Sequence, residues 1–234
     1  IKIHAAGLCH SDLSVINGNR PRPLPMALGH EASGEVIKVG KAVTRVSEGD
    51  HVVCTFIPSC GKCIPCKEGR PALCENGAIS NEKGEMLEGG MRLSNDEGKV
   101  YHHLGISGFA EYSVVSENSI VKIDKKIPFE RAAAFGCAII TGIGAVVNTA
   151  QIRSGSNVAV VGLGGIGLNA IIGAKLAGAN EIIALDINED KFELAKQFGA
   201  TATFNSSDKD IDEQIKEYIP VSYTHLTLPT KRIV

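Results

Sequence analysis

The glycine-rich stretch from Gly162 to Gly167 constrains the fold more strongly than any other part of this sequence. It reads Gly-Leu-Gly-Gly-Ile-Gly, which fits G-x-G-x-x-G, and it lies between an apolar run at 158–161 and a helical pattern at 165–177. In this context the first glycine permits a tight turn, the second admits a pyrophosphate close to the backbone, and the third allows the helix to pack on the strand. The helix N-terminus then binds the phosphates. A purely structural turn is the alternative, and we favour a dinucleotide site formed by Gly162, Gly164, Gly165, Ile166 and Gly167.

Asp186 strengthens this interpretation, because it ends the next predicted strand, 181–186, and follows Gly167 by 19 residues. A carboxylate at that point accepts hydrogen bonds from both ribose hydroxyls and repels a 2′-phosphate, so NAD is favoured over NADP. The strand–helix alternation continues with a helix at 189–198, a strand at 201–204 and a helix at 208–218. It predicts a parallel sheet with right-handed crossovers.

The first part of the chain has a different pattern. Several short apolar segments separated by turn residues predict a compact β-rich domain that ends near residue 125. The predicted strands are 1–9, 35–40, 51–56, 110–115 and 120–123, and the predicted helices are 11–16, capped by Ser11 or Asp12, 129–135 and 137–150. The polar, glycine-rich stretch 75–100 is expected to be a surface excursion.

Four cysteines form the most specific local motif, with the spacing Cys-x2-Cys-x2-Cys-x7-Cys at Cys60, Cys63, Cys66 and Cys74. Four thiolates on one loop can form a closed tetrahedral zinc site, which stabilises the loop and leaves no position for a substrate. The alternatives are four independent cysteines, an iron–sulfur cluster and a thioredoxin-type pair. The sequence lacks the Cys-Pro that ends bacterial ferredoxin motifs, which weighs against an iron–sulfur cluster. The strand–helix context that a thioredoxin-type pair needs is also missing.

Three further potential metal ligands, Cys9, His30 and Cys137, are far apart in the sequence. Two thiolates and one imidazole would leave the fourth position of a zinc ion open, as in catalytic sites. Spacing alone does not establish such a site, and an isolated His30 is more often a hydrogen-bonding residue near a turn. Cys54 alternates with apolar neighbours and is interpreted as a small buried hydrophobic residue.

Composition and charge exclude several classes of function. The 234 residues carry a net charge of -2, which gives no basic field for nucleic acid or an anionic membrane, and Trp is absent. The longest apolar run, 158–174, contains five glycines, which weighs against a membrane helix. An odd count of seven cysteines, in a chain with no visible signal peptide, favours metal binding over disulfides. It also favours a cytoplasmic location.

Both ends of the chain are expected to be incomplete or foreign. The chain starts at Ile1, so we expect the natural N-terminus to be missing. The string at 220–234 resembles the translated sequencing adapters found at the ends of unrelated metagenomic sequences, so we expect it to be a non-native tail.

Taken together, these motifs resemble the zinc-dependent medium-chain alcohol dehydrogenases, in particular the liver-type and glutathione-dependent formaldehyde dehydrogenase branches. The resemblance covers about residues 1–219 and rests on specific segments. These are Gly7-Leu8-Cys9-His10-Ser11-Asp12, Gly29-His30-Glu31, the four-cysteine loop, Tyr101-His102-His103-Leu104-Gly105, Gly136-Cys137, Gly162–Gly167 and Asp186. It implies an α/β protein with a GroES-like β-rich catalytic domain at 1–135 and a truncated Rossmann coenzyme domain, a doubly wound parallel sheet, at 136–219.

The resemblance also implies the chemistry. Hydride would pass from a zinc-bound alkoxide to NAD, which interconverts a primary or aromatic alcohol and its aldehyde. The catalytic zinc would be bound by Cys9, His30 and Cys137, with Glu31 behind the metal as a transient ligand. A second, structural zinc would be bound by the four-cysteine loop. The parent protein would be a homodimer or homotetramer.

Other residues receive roles from the same resemblance. Ser11 would hydrogen-bond the alcohol and pass its proton outward. His10 would meet the coenzyme pyrophosphate, Thr141 would lie near the nicotinamide, and Lys191 near the adenosine ribose. Phe56 would line the substrate pocket.

The sequence departs from the family at several positions. Ser14 stands where liver-type enzymes have the histidine that ends the proton relay, so another base or water would complete it. Arg20 and Ala78 stand where the glutathione-dependent branch has an acidic residue and an arginine, which weighs against glutathione adducts. An S-(hydroxymethyl)glutathione dehydrogenase, an aldehyde dismutase and, less favoured, a non-catalytic zinc module remain as alternatives. We expect this chain alone to be unable to catalyse the reaction.

Overall fold

Residues 1–219 are described by a computed structural model, and the predicted tail at 220–234 lies outside the described residues. The chain divides into two units, Ile1–Cys137 and a second that begins at Ala138.

The first unit is built mainly from short strands, as the sequence predicts. They are β1 (Lys2–Gly7), β2 (Met26–Ala27), β3 (Glu31–Glu35), β4 (His51–Cys54), β5 (Leu93–Asn95), β6 (Gly98–His102) and β7 (Ile120–Lys122). A four-stranded sheet has the order β1-β3-β4-β7 with antiparallel pairs, and a smaller sheet has the order β2-β6-β5. One face of the larger sheet buries a core of Ala32, Val36, Val52, Cys54, Ile106 and Ile120.

Four helices accompany these strands: α1 (His10–Ile16), α2 (Ile64–Lys67), α3 (Glu75–Lys83) and α4 (Phe129–Ala133). The predicted cap of α1 at Ser11 or Asp12 is wrong, because Cys9 occupies the N-cap position. The backbone N–H of Cys9 donates to Asp12 Oδ2 over 3.1 Å, so Asp12 closes the first turn from inside the helix. Cys54 is fully buried in the core, which confirms its interpretation as a hydrophobic residue.

Two of the strand predictions for this unit are wrong. The strand expected at 35–40 lies earlier, at Glu31–Glu35, because this Ala-Ser-Gly segment pairs with a strand on each side. Residues 110–115 form only an isolated bridge between Tyr112 and Lys2. The expected surface excursion at 75–100 is mostly exposed, and it contains helix α3 and the β5–β6 hairpin, which the sequence analysis did not predict.

The second unit confirms the predicted alternation of strands and helices. Its strands are β8 (Asn157–Val161), β9 (Glu181–Asp186) and β10 (Ala202–Asn205), and its helices are α5 (Ala138–Gly144), α6 (Gly165–Leu176), α7 (Phe192–Phe198) and α8 (Ile211–Tyr218). A π-helical segment, Ala145–Ala150, continues α5. The sheet is parallel with the order β10-β9-β8, so β9 is central and its last five residues are buried.

No single helix among residues 1–219 is long and apolar enough to cross a membrane. Two helical segments separated by a bend, Phe129–Gly136 and Ala138–Ala150, reach the length and apolar composition of a membrane span only when they are counted together. The core helices of a soluble protein can meet the same criteria.

Helices α5 and α6 approach each other closely at Gly142. A Cβ built on Gly142 would lie 2.6 Å from the Asn169 Cβ and would also collide with the carbonyl oxygen of Ile166, both on α6. A Cβ on Gly144, two residues later in α5, would meet only the Asn148 side chain, at 3.6 Å. The two glycines therefore form a matched pair of test positions.

We expect Gly142→Ala to lower the free energy of unfolding of the second unit by about 1–3 kcal/mol, because backbone and side chain on α6 must both move. Gly144→Ala should be neutral or stabilise by up to ~1 kcal/mol, because alanine has the higher helix propensity. Urea unfolding followed by circular dichroism measures both. Equal stability of the two variants would show that the close approach at Gly142 is not required.

Candidate metal centres and coenzyme site

The first candidate centre brings together residues that are distant in the sequence. One ligand atom from each of Cys9, His30, Glu31 and Cys137 lies within 4.8 Å of those of the other three. The pairing of β1 with β3 places Gly7 opposite Glu31, so Cys9 follows one strand where His30 precedes the other. Cys137 follows Gly136, whose missing side chain leaves room for the carbonyl oxygen of Cys54.

These residues fit a metal ion. His30 is only 1% exposed, and Glu31 and Cys137 are also buried. Two thiols, an imidazole and a carboxylate converge in a buried site, where such groups are costly unless they are paired or bind a cation. Two sulfurs and one nitrogen are the donor set of a zinc site with an open position.

Without a metal, this cluster already contains groups of opposite charge. The Cys137 thiol and His30 both hydrogen-bond to the Cys9 sulfur and lower the pKa of Cys9 to about 3. Burial alone would lower the pKa of His30, but hydrogen bonds and charges from Asp12 and Cys9 outweigh it and raise this pKa to about 9. The Cys9 thiolate, burial and the charge of Glu31 raise the pKa of Cys137. At neutral pH the cluster therefore holds a Cys9 thiolate, a His30 imidazolium and a Cys137 thiol.

Asp12 supports this cluster from behind, and it was expected only as a helix cap. It is fully buried, and its Oδ1 accepts from the Gly29 N–H over 3.0 Å and lies 3.4 Å from His30 Nδ1. Burial would raise the pKa of this carboxyl, but contacts with His103 and His30 hold it well below its usual range. A charged Asp12 orients the imidazole of His30 so that Nε2 is left for a metal.

The second candidate centre is the four-cysteine loop. Ligand sulfurs of Cys60, Cys63, Cys66 and Cys74 all lie within 4.8 Å of one another. Backbone N–H groups point at these sulfurs, with Cys60 N and Gly77 N at 3.2 and 3.3 Å from Cys74 Sγ. The pKa of Cys60 is lowered to about 6 by N–H groups of Lys62 and Cys63, whereas burial and the neighbouring cysteines raise that of Cys66 to about 12. Donors aimed at sulfur suit a closed tetrathiolate site.

The glycine turn in the second unit has the conformation that the sequence predicts. Gly162 has φ +92°, a left-handed conformation that favours glycine. A Cβ on Gly167 would collide with the carbonyl oxygen of Gly162, whereas a Cβ on Gly164 would have nothing within 4 Å. The turn therefore packs tightly on one side and is open at Gly164, as a site that admits a phosphate requires.

Asp186 lies beside this turn. Its Oδ2 accepts from the Leu163 N–H over 2.7 Å, and its Oδ1 accepts from the Asn188 N–H over 2.9 Å. Lys191 Nζ donates to both oxygens, over 3.1 and 2.9 Å. Burial would raise the pKa of Asp186, but these donors outweigh it and lower it. A fixed, ionised carboxylate next to the glycine turn fits a ribose with two free hydroxyls.

The remaining predicted residues fall into two groups. Near the first centre, Ser11 Oγ is 3.7 Å from Cys9 Sγ, the Phe56 ring lies 6.2 Å from the His30 ring, and His10 is exposed as the first residue of α1. In the second unit, Thr141 is half-buried on α5. Reasoning from the sequence missed any supporting role for Asp12 and His103, since only the folded chain places them next to His30.

Comparison with known families gives two matches. The family described as alcohol dehydrogenase GroES-like domain matches residues 1–125, and the family described as zinc-binding dehydrogenase matches residues 165–226. The first match covers more than half of the chain. Both agree with the predicted α/β fold of a GroES-like domain followed by a parallel-sheet domain.

Two curated relatives are similar over most of this chain. A protein named alcohol dehydrogenase class-3 from Drosophila melanogaster is 45% identical over 220 residues, which is 94% of this chain and 58% of the relative. One named S-(hydroxymethyl)glutathione dehydrogenase from Synechocystis is 46% identical over 94% of this chain and 59% of the relative. The chain thus spans under two thirds of the length of these relatives.

Solved structures give the same picture. An alcohol dehydrogenase zinc-binding domain protein from Burkholderia ambifaria superposes with a TM-score of 0.87 at 39% identity, covering 93% of this chain and 59% of that one. Benzyl alcohol dehydrogenase from Acinetobacter calcoaceticus superposes with a TM-score of 0.83 at 40% identity and the same coverage.

The charge distribution of the first centre predicts how many protons zinc displaces. Ligands must be deprotonated to bind, so at about pH 7 zinc should release about two protons, one from His30 and one from Cys137, and none from Cys9. Above the pKa of His30, which is about 9, the imidazole is already neutral, so the contribution of His30 to this number should be lost. Calorimetric zinc titrations in buffers of different ionisation enthalpy measure this count.

The control for this titration is the Cys137→Ser chain, which keeps the four-cysteine loop. The number of protons released by the first centre is therefore the number released by the wild-type chain minus the number released by this variant. An excess of about three at pH 7 would mean that Cys9 starts as a thiol, and no excess would mean that the first centre binds no zinc.

Proposed function

Because the chain belongs to the zinc-dependent medium-chain alcohol dehydrogenase family, we propose that its full-length protein interconverts a primary or aromatic alcohol and its aldehyde with NAD. In the oxidative direction an alcohol and NAD⁺ give an aldehyde, NADH and a proton. The convergence of Cys9, His30 and Cys137 in one buried site is the observation that carries the proposal, because two sulfurs and one nitrogen leave a position for substrate.

We assign the two zinc sites to different roles. Cys9, His30 and Cys137 would hold the catalytic ion, with Glu31 beside them as a carboxylate that can take part in ligand exchange. Zinc when bound supplies Lewis acidity, which lowers the pKa of a hydroxyl group in its open position. Cys60, Cys63, Cys66 and Cys74 would hold the structural ion.

Ser11 is the residue that we propose to take up the substrate proton. Its hydroxyl lies 3.7 Å from Cys9 Sγ, at the edge of the catalytic cluster. Ser14 does not continue this path, because it is buried and its hydroxyl donates to the His10 carbonyl within α1 over 3.0 Å. The proton would therefore pass from Ser11 to solvent, and Phe56 would contribute an apolar wall beside His30.

The second unit would bind the coenzyme. The open backbone at Gly164 and the N-terminus of α6 would bind the pyrophosphate. Asp186 would accept hydrogen bonds from the ribose hydroxyls, with Lys191 alongside it. Thr141 would lie near the nicotinamide. The fixed carboxylate of Asp186 disfavours a 2′-phosphate and supports NAD over NADP.

Two substrate classes compete. Similarity to benzyl alcohol dehydrogenase favours simple primary or aromatic alcohols, whereas the name of the Synechocystis relative favours S-(hydroxymethyl)glutathione. Arg20 and Ala78, both exposed, leave the glutathione adduct without the acidic and basic partners expected for it. We therefore favour the simple alcohols.

The test is a panel of substrates offered with NAD⁺ to the full-length protein that contains this chain. It includes short primary alcohols, benzyl alcohol, and formaldehyde with and without glutathione, and NADH absorbance is measured. We expect kcat/KM for the best simple alcohol to exceed that for the glutathione adduct by at least ~10-fold, because the charged groups of the adduct would lack their expected partners.

Matched variants separate the zinc chemistry from stability. Cys137→Ser should abolish turnover, whereas Cys54→Ala, which changes a buried cysteine outside both clusters, should retain it. Faster turnover of the glutathione adduct would reverse the choice of substrate. Aldehyde dismutation without net NADH would favour the dismutase alternative, and no NAD-dependent turnover of any substrate would contradict the proposed function.

A further inference from the structure

His103 is a buried histidine that neither metal centre accounts for. It is 1% exposed, and its Nδ1 lies 3.1 Å from Asp12 Oδ1, the same oxygen that lies 3.4 Å from His30 Nδ1. Within the described part of the chain this is an ion-pair contact, and neither ring nitrogen of His103 has a hydrogen-bond partner. The His103 and His30 rings meet edge to face with centroids 5.3 Å apart. Asp12 is therefore held between two histidines.

The backbone around His103 adopts costly conformations to place the ring there. Leu104 and Ser107 both have φ +55°, in the left-handed region that residues other than glycine rarely adopt. Both are buried, and Ser107 Oγ accepts from the His103 N–H over 3.1 Å. Strained residues persist only where the surrounding structure fixes them, and they cluster at functional sites.

This turn is attached to the segment that carries His30. The Gly108 N–H donates to the Gly29 carbonyl over 2.8 Å, and the Phe109 N–H donates to the Leu28 carbonyl over 3.0 Å. A Cβ on Gly29 would lie 2.6 Å from the Phe109 nitrogen, so the two segments are in close contact. His103 is thus fixed relative to His30 by backbone as well as through Asp12.

A second metal ion is the alternative explanation for this cluster, since ligand atoms of Asp12, His30 and His103 also lie within 4.8 Å of one another. An ion there would require His30 to bridge two metals. The Asp12 carboxylate lies within 3.4 Å of a nitrogen of each ring without an ion, and the N–H groups of Cys9 and Gly29 already donate to it. The arrangement favours hydrogen bonding over a further metal site.

We propose that His103 is a positioning residue that holds the Asp12 carboxylate against His30 and thereby raises the zinc affinity of the catalytic cluster. The inference rests on the proposed assignment of Cys9, His30 and Cys137 to the catalytic zinc. Partners behind a metal ligand orient its ring, and losing one typically costs 10- to 100-fold in metal affinity. His103 acts one step further away, so we expect an effect of about 10-fold.

The experiment is a titration of the metal-free full chain with Zn²⁺ in competition with a chromophoric chelator, which gives the affinity of each site. His103→Leu removes the donor, whereas His103→Asn keeps an N–H at the position of Nδ1. His102→Leu is the matched control, because His102 is equally buried and its Nδ1 lies 3.4 Å from Ser107 Oγ in the same turn, but it is not part of the Asp12 cluster. The four-cysteine site reports whether each variant is folded.

We expect two zinc ions per chain, with one site weakened by about 10-fold in His103→Leu, and within about twofold of wild type in His103→Asn and His102→Leu. The four-cysteine site should keep its affinity in all of them. Unchanged affinities in His103→Leu, or equal weakening in His102→Leu, would overturn the role of His103. Three ions per chain would make His103 a ligand and also overturn it. One ion in the wild-type chain would overturn the proposed catalytic site itself, and this inference with it.

Discussion

The antiparallel register of β1 with β3 is the constraint on which the rest of the first unit depends. It sets Gly7 opposite Glu31, and a Cβ on Gly7 would lie 2.5 Å from Glu31 Oε2. A slip of one residue would turn every side chain of a strand to the other face. The register therefore decides whether Cys9 and His30 meet. Asp12 then fixes this junction, because it binds the N–H groups of Cys9 and Gly29 on its two oxygens.

The two candidate metal centres use cysteine in different ways. In the four-cysteine loop, backbone N–H groups surround the sulfurs and the ligands come from a single short segment. In the first centre, the half-buried Cys9 thiolate faces the buried His30 imidazolium, and the ligands come from three distant segments. The four-cysteine site stabilises a loop, whereas the first centre leaves one position on the metal open for a substrate. This difference follows from the donor sets and their burial.

The sequence could predict features that depend on residues close together in the chain, but not those that depend on contacts between distant residues. The glycine turn with Asp186 and the four-cysteine loop are local patterns, and the structure forms both as expected. The convergence of Cys9, His30 and Cys137 depends on strand register, so it came only from the family resemblance. β3 was misplaced because Ala32, Ser33 and Gly34 have poor strand propensity, and pairing on both sides overrides it. Nothing near His103 in the sequence indicates that its ring meets Asp12.

Zinc-edge X-ray absorption on the zinc-loaded chain tests the central claim, that one chain builds two different zinc centres, most directly. We expect two zinc ions per chain with about three sulfur ligands each on average, at about 2.3 Å, together with nitrogen or oxygen ligands. Cys137→Ser should leave one zinc with about four sulfurs. A single zinc with four sulfurs in the wild-type chain would contradict the account.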